Sequence, residues 1–381
     1  MLIKRRLLTP GPTPIPEEVS AIASHPLIHH RSPEFSKIFM EVTEGLKNIF
    51  QTSQDVFILL SSGTGAMEKA VVNLLSPGDK IITLNAGKFG ARWAQIGTSY
   101  GLKVKEIILD WGENYTKEQL SVMLDENPDT VAVFTTLNET STGTIYDIQS
   151  YAKIVSKTDA VLVVDGISGV GAMPCPMDEW NIDVLIAASQ KFFMTPPGLA
   201  YISFSPKAWS LVERSSLPKY YFDAKKAKTS MEKKTSPFTP GISLLIQQRK
   251  ALDLIENYGL DELYTHHRIL GKSVRAGIKA AGLELLSKNP GNILTAVKIP
   301  SGIDGNKFVR AMQQKYRVYI SGAQEPHKGE FFRIAHLGYV DGFDIIIVLC
   351  AMEMAFSELG YNIKSGTSVA AAQNILKENW Q

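Results

Sequence analysis

Lys191 lies in a sequence context that suits reaction with an aldehyde. It ends the tripeptide Ser189-Gln190-Lys191, which follows the apolar run 184–188 and precedes a Pro-Pro-Gly turn at 196–198. An ammonium at the end of a buried segment loses hydration, which lowers its pKa and makes the neutral amine available. A neutral amine attacks an aldehyde carbon to form a Schiff base, so we expect Lys191 to be a catalytic residue. Considered alone, it would be read as a surface lysine after a strand.

The segment Ser61-Ser62-Gly63-Thr64-Gly65 is suited to binding an anion. It lies between an apolar run at 56–60 and a helical pattern that begins at 66. The free N–H groups of a glycine-rich turn and the positive end of a helix dipole both favour a negative charge at this point. We predict a phosphate site here, although a short Gly-x-Gly can also mark a tight turn only.

Asp165 ends a second apolar run, at 160–164. The carboxyl end of a buried parallel strand is where open α/β sheets bind ligands. A carboxylate there can pair with a protonated pyridine nitrogen, and helix capping is the alternative. Lys191, Asp165 and the loop 61–65 together meet the needs of an aldehyde cofactor with a phosphate and a pyridine ring.

The elements that must position these residues follow from alternating strand and helix patterns. Such alternation predicts an α/β fold with a mostly parallel sheet and helices on both faces. Ligands would then gather at the carboxyl ends of the strands. The seven predicted strands are 56–60, 80–84, 103–109, 130–135, 160–164, 184–188 and 199–204.

The chain divides into an arm and two domains in this interpretation. Alternating prolines at positions 10 to 16 favour an extended arm over residues 1–15. We predict a large domain over 16–255 and a smaller C-terminal α+β domain over 256–381. The smaller domain would contain strands at 293–299, 317–321 and 331–336, followed by a helix at 342–358.

The composition is that of an ordinary globular enzyme. Charged residues make up 20% and hydrophobic residues 44% of the 381, and the formal net charge is +2. Near-balanced charge gives no reason to expect binding to nucleic acid or to an anionic membrane. The two cysteines, Cys175 and Cys350, form no metal-binding motif, so we expect no metal site. Without a recognisable targeting segment, we expect a cytoplasmic location.

Nine segments of the sequence, taken in order, resemble the class V pyridoxal-phosphate aminotransferases. The resemblance runs from about residue 7 to 339 and is strongest to the alanine/serine–glyoxylate branch. It implies the type I fold of pyridoxal-phosphate-dependent transferases, with pyridoxal 5'-phosphate as the cofactor. The segments are 8–14 (LTPGPTP), 30–35 (HRSPEF), 62–68 (SGTGAME), 85–90 (NAGKFG), 138–143 (NETSTG), 164–165 (VD), 189–191 (SQK) with 196–198 (PPG), 239–240 (TP) and 332–338 (FRIAHLG).

The resemblance also implies how the cofactor would be held. Lys191 would carry it as a Schiff base and Asp165 would face its pyridine nitrogen. Phe89 would stack on one face of the ring and Ile167 would pack on the other, with Thr140 beside the 3-oxygen. The residues that would bind the phosphate are Gly63, Thr64, Gly65 and Gln190, together with Thr239 of the other subunit.

The resemblance implies that the substrates are small amino acids and 2-oxo acids. Arg333 would bind the substrate α-carboxylate with its planar guanidinium. Thr140 and Gly11 would also lie against the substrate. Because Thr239 would serve the neighbouring chain, we expect a homodimer with shared active sites.

The expected reaction is transfer of an amino group from alanine or serine to glyoxylate or another 2-oxo acid. The alternative within the family uses aspartate or phosphoserine with 2-oxoglutarate, and this needs a second cation, for which Arg31 is a candidate. A nicotinamide dehydrogenase needs Gly-x-Gly-x-x-Gly, which the segment 63–68 breaks at its last position. A non-catalytic scaffold would be free to lose Lys191, Asp165 or Arg333, and all three are present.

Overall fold

A computed structural model of the chain describes residues 4–379, so residues 1–3 of the predicted arm and residues 380–381 lie outside it. The helices are α1 (Glu17–Ala21), α2 (Pro33–Phe50), α3 (Gly63–Leu74), α4 (Lys88–Ser99), α5 (Lys117–Asp125), α6 (Ile148–Val155), α7 (Pro206–Arg214), α8 (Ala224–Glu232), α9 (Ile242–Tyr258), α10 (Leu260–Ala280), α11 (Gly305–Gln314), α12 (Gly342–Glu358) and α13 (Thr367–Asn379). The strands are β1 (Arg6–Leu7), β2 (Val56–Leu60), β3 (Lys80–Asn85), β4 (Lys103–Ile108), β5 (Thr130–Thr136), β6 (Asn138–Glu139), β7 (Thr144–Ile145), β8 (Val161–Asp165), β9 (Val184–Ala188), β10 (Leu199–Phe204), β11 (Leu294–Lys298), β12 (Val318–Tyr319), β13 (Ser321–Gly322) and β14 (Phe331–Ala335). Within the described range, no helix combines the length and apolar character needed to cross a bilayer.

The seven predicted strands form one sheet in the order β2-β10-β9-β8-β5-β3-β4. Only β10 runs against its neighbours β2 and β9, and the other pairs are parallel. All residues of the central strands β8 and β9 are buried, which explains why their sequences are continuous apolar runs. The prediction of a mostly parallel, seven-stranded sheet is confirmed.

A second, smaller sheet contains β11, β14 and β13, all antiparallel. Its apolar face packs in a core that is separate from that of the large sheet and includes Leu270, Phe308, Phe332 and Phe356. The predicted strand 317–321 is divided into β12 and β13, and α13 was not predicted. The domain limits at 16–255 and 256–381 stay a prediction.

The N-terminal arm contacts both the smaller sheet and the segment that follows β9 of the large sheet. Strand β1 pairs in parallel with β12, and the Leu8 carbonyl accepts a hydrogen bond of 2.9 Å from the Ala335 N–H. Further along, the Thr13 N–H donates to the Gln190 carbonyl at 3.1 Å. The arm therefore ends against the segment that carries Lys191.

Candidate active site

Lys191 lies just beyond the end of β9, at the carboxyl edge of the large sheet. Its Nζ donates a hydrogen bond of 2.6 Å to the Pro10 carbonyl. Burial lowers the pKa of Lys191 to about 8, and the positive charges of Arg333 and Arg92 lower it further, whereas Asp165 acts in the opposite direction. A substantial fraction of the amine is therefore neutral at mildly alkaline pH.

The arm approaches Lys191 so closely that it requires glycine at position 11. A Cβ at Gly11 would lie 2.5 Å from Lys191 Nζ, and the residue has φ of +148°, which L side chains rarely adopt. The Thr13 Oγ1 donates to the Lys191 carbonyl at 2.8 Å. Gly11, predicted to lie against the substrate, thus also lies against the lysine side chain.

Asp165 ends β8 and is buried. Its Oδ1 accepts a hydrogen bond of 2.9 Å from the Ile167 N–H. Burial raises the pKa of Asp165 to about 6, against the lowering effect of that hydrogen bond. The Ile167 side chain extends to Gly63, where a Cβ would lie 2.5 Å from Ile167 Cδ1. Asp165, Ile167 and Gly63 therefore occupy one site.

The start of α3 has the features of an anion site. The N-cap residue, Ser62, makes no side-chain hydrogen bond to the first turn. Thr64 Oγ1 accepts a hydrogen bond of 3.1 Å from Arg92 Nη1, and Gln190 Oε1 is buried without a partner among the described residues. An uncapped helix N-terminus with hydroxyl and amide groups beside it suits a phosphate, so these residues fit the predicted cofactor. Gly65 lies in the same turn, against the Ser61 side chain.

Phe89 is held at the start of α4 by a buried carboxylate. Glu139 accepts hydrogen bonds from the Phe89 N–H at 3.1 Å and the Gly90 N–H at 2.9 Å. A carboxylate at a helix N-terminus also interacts favourably with the helix dipole. Sequence reasoning missed the roles of Glu139 and Arg92. Arg92 follows Phe89 by three residues on the same helix face, which is the signal that could have found it.

Arg333 lies on β14 and faces the segment that carries Thr140. Its Nη1 donates to the Thr140 carbonyl at 2.9 Å and its Nη2 to the Gly322 carbonyl at 2.8 Å. Its Nε is buried and has no partner in the described part of the chain, so one donor remains for a ligand. Burial lowers the pKa of Arg333 to about 10, which leaves it charged at neutral pH. The Thr140 hydroxyl lies 2.6 Å from the Ser168 hydroxyl.

Thr239 lies on the surface, near the end of β2 that leads into the loop 61–65. Its side chain is exposed, and within residues 4–379 no hydrogen bond joins it to the other predicted site residues. It lines a cavity of about 40 Å³ together with Leu60, Tyr221 and Phe238. Arg31 belongs to the same region, because its Nη1 donates to the Ser236 carbonyl at 2.8 Å.

The residues that do come together have complementary chemistry. The site contains a lysine amine of lowered pKa, a buried carboxylate, an uncapped helix N-terminus and a guanidinium with an unused donor. An amine can form a Schiff base, a helix N-terminus can bind a phosphate, and a guanidinium can bind a carboxylate. Such a set suits covalent chemistry on small carboxylic acids.

Comparison with known proteins gives one family. A model of "Aminotransferase class-V" matches residues 11–322. A protein named soluble hydrogenase, small subunit, from Synechococcus sp. (strain PCC 6716) is 39% identical over 98% of each chain. The L-aspartate–glyoxylate aminotransferase of Paracoccus denitrificans is 35% identical over 98% of this chain and 96% of its own. The serine–glyoxylate aminotransferase of Hyphomicrobium methylovorum is 35% identical over 100% and 96%.

The fold agrees with these relatives. The crystal structure of the ureidoglycine–glyoxylate aminotransferase of Bacillus subtilis superposes with a TM-score of 0.94, at 25% identity and over 99% of each chain. The fold is therefore the predicted type I fold of the pyridoxal-phosphate-dependent transferases. From the matched model and these relatives, the chain belongs to the class-V aminotransferases, in the branch that contains the glyoxylate aminotransferases.

Proposed function

We propose that this aminotransferase uses pyridoxal 5'-phosphate to move the amino group of a small L-amino acid, alanine or serine, to glyoxylate or another 2-oxo acid. The observation that carries the proposal is the Lys191 amine, whose pKa is lowered to about 8 in the site that also contains Asp165 and Arg333. Relatives named for different amino donors share glyoxylate in their names, which supports the acceptor.

The cofactor would be held by groups from several elements. The N-terminus of α3 would bind the phosphate through Gly63, Thr64 and Gly65, beside Gln190. Asp165 would keep a negative charge opposite the ring nitrogen, and Thr140 would lie beside the 3-oxygen. Phe89 and Ile167 would contact the two faces of the ring. When bound, the cofactor supplies an aldehyde that takes up the amino group and a ring that withdraws electrons from the α-carbon.

The reaction itself needs two actions from the protein. Arg333 binds the substrate carboxylate, using the buried Nε that has no protein partner, and so fixes the orientation of the α-carbon. Lys191 Nζ takes the α-proton as a general base and later returns a proton as a general acid. A pKa near the working pH suits both proton transfers.

The amino donor distinguishes this proposal from its alternative within the family. An aspartate or phosphoserine donor carries a second acidic group and needs a second cation. Arg31 donates hydrogen bonds to the Thr235 hydroxyl and to the Ser236 carbonyl, in the segment next to Thr239. Part of the Arg31 guanidinium is therefore engaged by its own chain, which favours a small donor.

We propose that the chain forms a homodimer in which Thr239 contacts the phosphate bound by the partner subunit. Support comes from the exposed side chain of Thr239, which makes no hydrogen bond to the residues around Lys191 within residues 4–379, and from exposed apolar side chains close to it. Tyr220 is 72% exposed, Tyr221 is 45% exposed and Leu60 is 42% exposed, so together they offer an apolar surface for association. A cytoplasmic location, expected from the sequence, stays a proposal that cell fractionation would test.

The direct test is an absorbance spectrum of the purified protein with pyridoxal phosphate. Alanine or serine is expected to abolish the yellow band, and glyoxylate is expected to restore it. A yellow band that responds to aspartate or phosphoserine and is restored by 2-oxoglutarate would support the alternative donor. The absence of any yellow band would overturn the cofactor assignment.

A matched pair of variants makes this test specific for the lysine. Lys191→Ala removes the amine that reacts with the aldehyde, so the yellow band is expected to be lost. Lys157→Ala removes an exposed lysine and should leave the spectrum unchanged. Full transaminase activity in Lys191→Ala would contradict the assignment.

A further inference from the structure

Arg92 connects two parts of the site that sequence reasoning treated separately. It lies on α4 one turn after Phe89, and its guanidinium carbon is 4.8 Å from the centre of the Phe89 ring. The same guanidinium donates to Thr64 Oγ1 at 3.1 Å. A single side chain therefore contacts both the aromatic ring at the start of α4 and the hydroxyl in the first turn of α3.

The charge of Arg92 is not neutralised by the protein. No ion pair joins the Arg92 guanidinium to a carboxylate of the described residues, and its only side-chain hydrogen bond in that range goes to Thr64 Oγ1. Its guanidinium lies beside the N-terminus of α3, which carries partial positive charge and has no side-chain cap. Two positive groups side by side favour an anion bound nearby.

Electrostatic effects connect Arg92 to the reactive groups as well. Its positive charge lowers the pKa of Lys191 and also that of Asp165. The other charged groups that act on Lys191 are Asp165 on β8 and Arg333 on β14. Arg92 and Arg333 thus oppose a proton on the lysine nitrogen, and Asp165 favours it.

We propose that Arg92 is a positioning residue of this site, which fixes Phe89 against the cofactor ring and Thr64 against the cofactor phosphate. This inference rests on the proposed function. A planar guanidinium can stack on an aromatic ring while it donates within its own plane, which a lysine ammonium cannot do. The stacking holds Phe89 in one orientation, and the hydrogen bond fixes the Thr64 hydroxyl at the same time.

The test compares Arg92→Gln and Arg92→Lys with the wild type by two readouts other than turnover. The first is the Kd for pyridoxal phosphate, and the second is the pH midpoint at which the absorbance of the bound cofactor changes. Arg92→Gln removes the charge and the stacking, so its Kd should rise by roughly tenfold. Its midpoint should move up by about half a pH unit or more, because a charge that opposes the protonated nitrogen is lost.

Arg92→Lys keeps the charge and loses the planar group. Its midpoint should therefore stay near that of the wild type, whereas its Kd should still rise several-fold. Arg268→Gln is the matched control, because it removes an exposed arginine from α10 and should change neither readout. If Arg92→Gln fails to fold, the split between Kd and midpoint in Arg92→Lys still tests the inference.

The outcomes separate this inference from the proposed function. A wild-type protein without a yellow band would overturn both. A wild type with the band, and Arg92 variants with unchanged Kd and midpoint, would overturn the role of Arg92 alone. A lower melting temperature with no change in midpoint for Arg92→Gln would also overturn it, since that pattern indicates a purely structural role.

Discussion

Burial acts in opposite directions on the two reactive groups of this site. It lowers the pKa of the Lys191 ammonium to about 8 and raises that of the Asp165 carboxyl to about 6. The two values converge because each group loses hydration in its charged form. Lys191 therefore reaches its reactive, neutral form at a pH where Asp165 keeps its charge.

The lowered pKa of Lys191 predicts how the rate of reaction with pyridoxal phosphate depends on pH. The neutral fraction of an amine with a pKa of about 8 grows about fivefold between pH 7 and 8, and levels off near pH 9. The rate at which the yellow band develops should follow this curve in stopped-flow measurements. A rate that continues to rise towards pH 10.5 would indicate an unshifted lysine and contradict the prediction.

Asp165→Asn provides the control for that curve. The Asp165 charge raises the pKa of Lys191, so its removal should move the curve to lower pH. Movement to higher pH would show that the two groups are not coupled as described.

Among the individual site residues, those at the ends of strands could be predicted from the sequence. Lys191 and Asp165 follow apolar runs directly, and a parallel sheet brings its carboxyl ends to one edge. Arg92 and Glu139 were not found, because their roles depend on how α3, α4 and the segment 138–141 pack together. The contact between Gly11 and Lys191 joins residues 180 positions apart, and nothing local in the sequence indicates it.

Helix α4 shows how an element can depend on one side chain outside it. The N–H groups of its second and third residues, Phe89 and Gly90, both donate to the Glu139 carboxylate, and that of Lys88 donates to the Ser141 hydroxyl. Glu139 also accepts from the Ser141 N–H at 3.0 Å, so the same carboxylate closes its own turn. The position of Phe89 therefore depends on Glu139.

Glu139→Gln should weaken both the helix start and cofactor binding. An amide has one acceptor oxygen and no charge, so we expect a loss of about 1–3 kcal/mol in stability. The midpoint of urea unfolding at fixed protein concentration measures this loss. Glu126→Gln, which changes an exposed residue, should stay within about 0.5 kcal/mol of the wild type. Equal midpoints for the two variants would contradict the capping role of Glu139.

The elements themselves were predictable where a turn borders an apolar run. The bounds of β2, β9, β10 and α12 agree with the predicted ones. Helix α13 was missed because its buried face consists mainly of small residues, Ser368 and Ala372 with Leu376, which give a weak apolar period. The division of 317–321 into two strands follows from pairing with different partners, β1 and β14, which a local pattern does not contain.

At the scale of the whole molecule, Thr239 is the one predicted cofactor-binding residue among those described that is exposed in a single chain. The exposed residues Tyr220 and Tyr221 lie near it, and in the described part of the chain Thr239 makes no hydrogen bond to the residues around Lys191. A dimer would account for both the exposed apolar surface and the isolated threonine. The expectation of a dimer came from the family resemblance, because the apolar and charged patterns of one chain do not indicate which surface it would use for association.

Hybrid dimers test whether Thr239 acts across the interface. Lys191→Ala subunits and Thr239→Val subunits would be mixed and allowed to exchange, and cofactor binding would be measured from the yellow band. If Thr239 serves the partner, the mixed dimer contains one intact site and recovers a tight, wild-type Kd. If Thr239 serves its own chain, or the protein is monomeric, mixing produces no tight site.

The docking of the N-terminal arm has a consequence for the order in which the protein is completed on the ribosome. The arm is synthesised first, yet Thr13 bonds to residues 190 and 191, and β1 pairs with residues 318–319. The nascent arm therefore has no docking partner until residues 190–191 emerge, about halfway along the chain, and β1 stays unpaired until residues 318–319 follow. Arg333, which lowers the pKa of Lys191, is synthesised later still, so this lysine acquires its full environment only when most of the polypeptide has been translated.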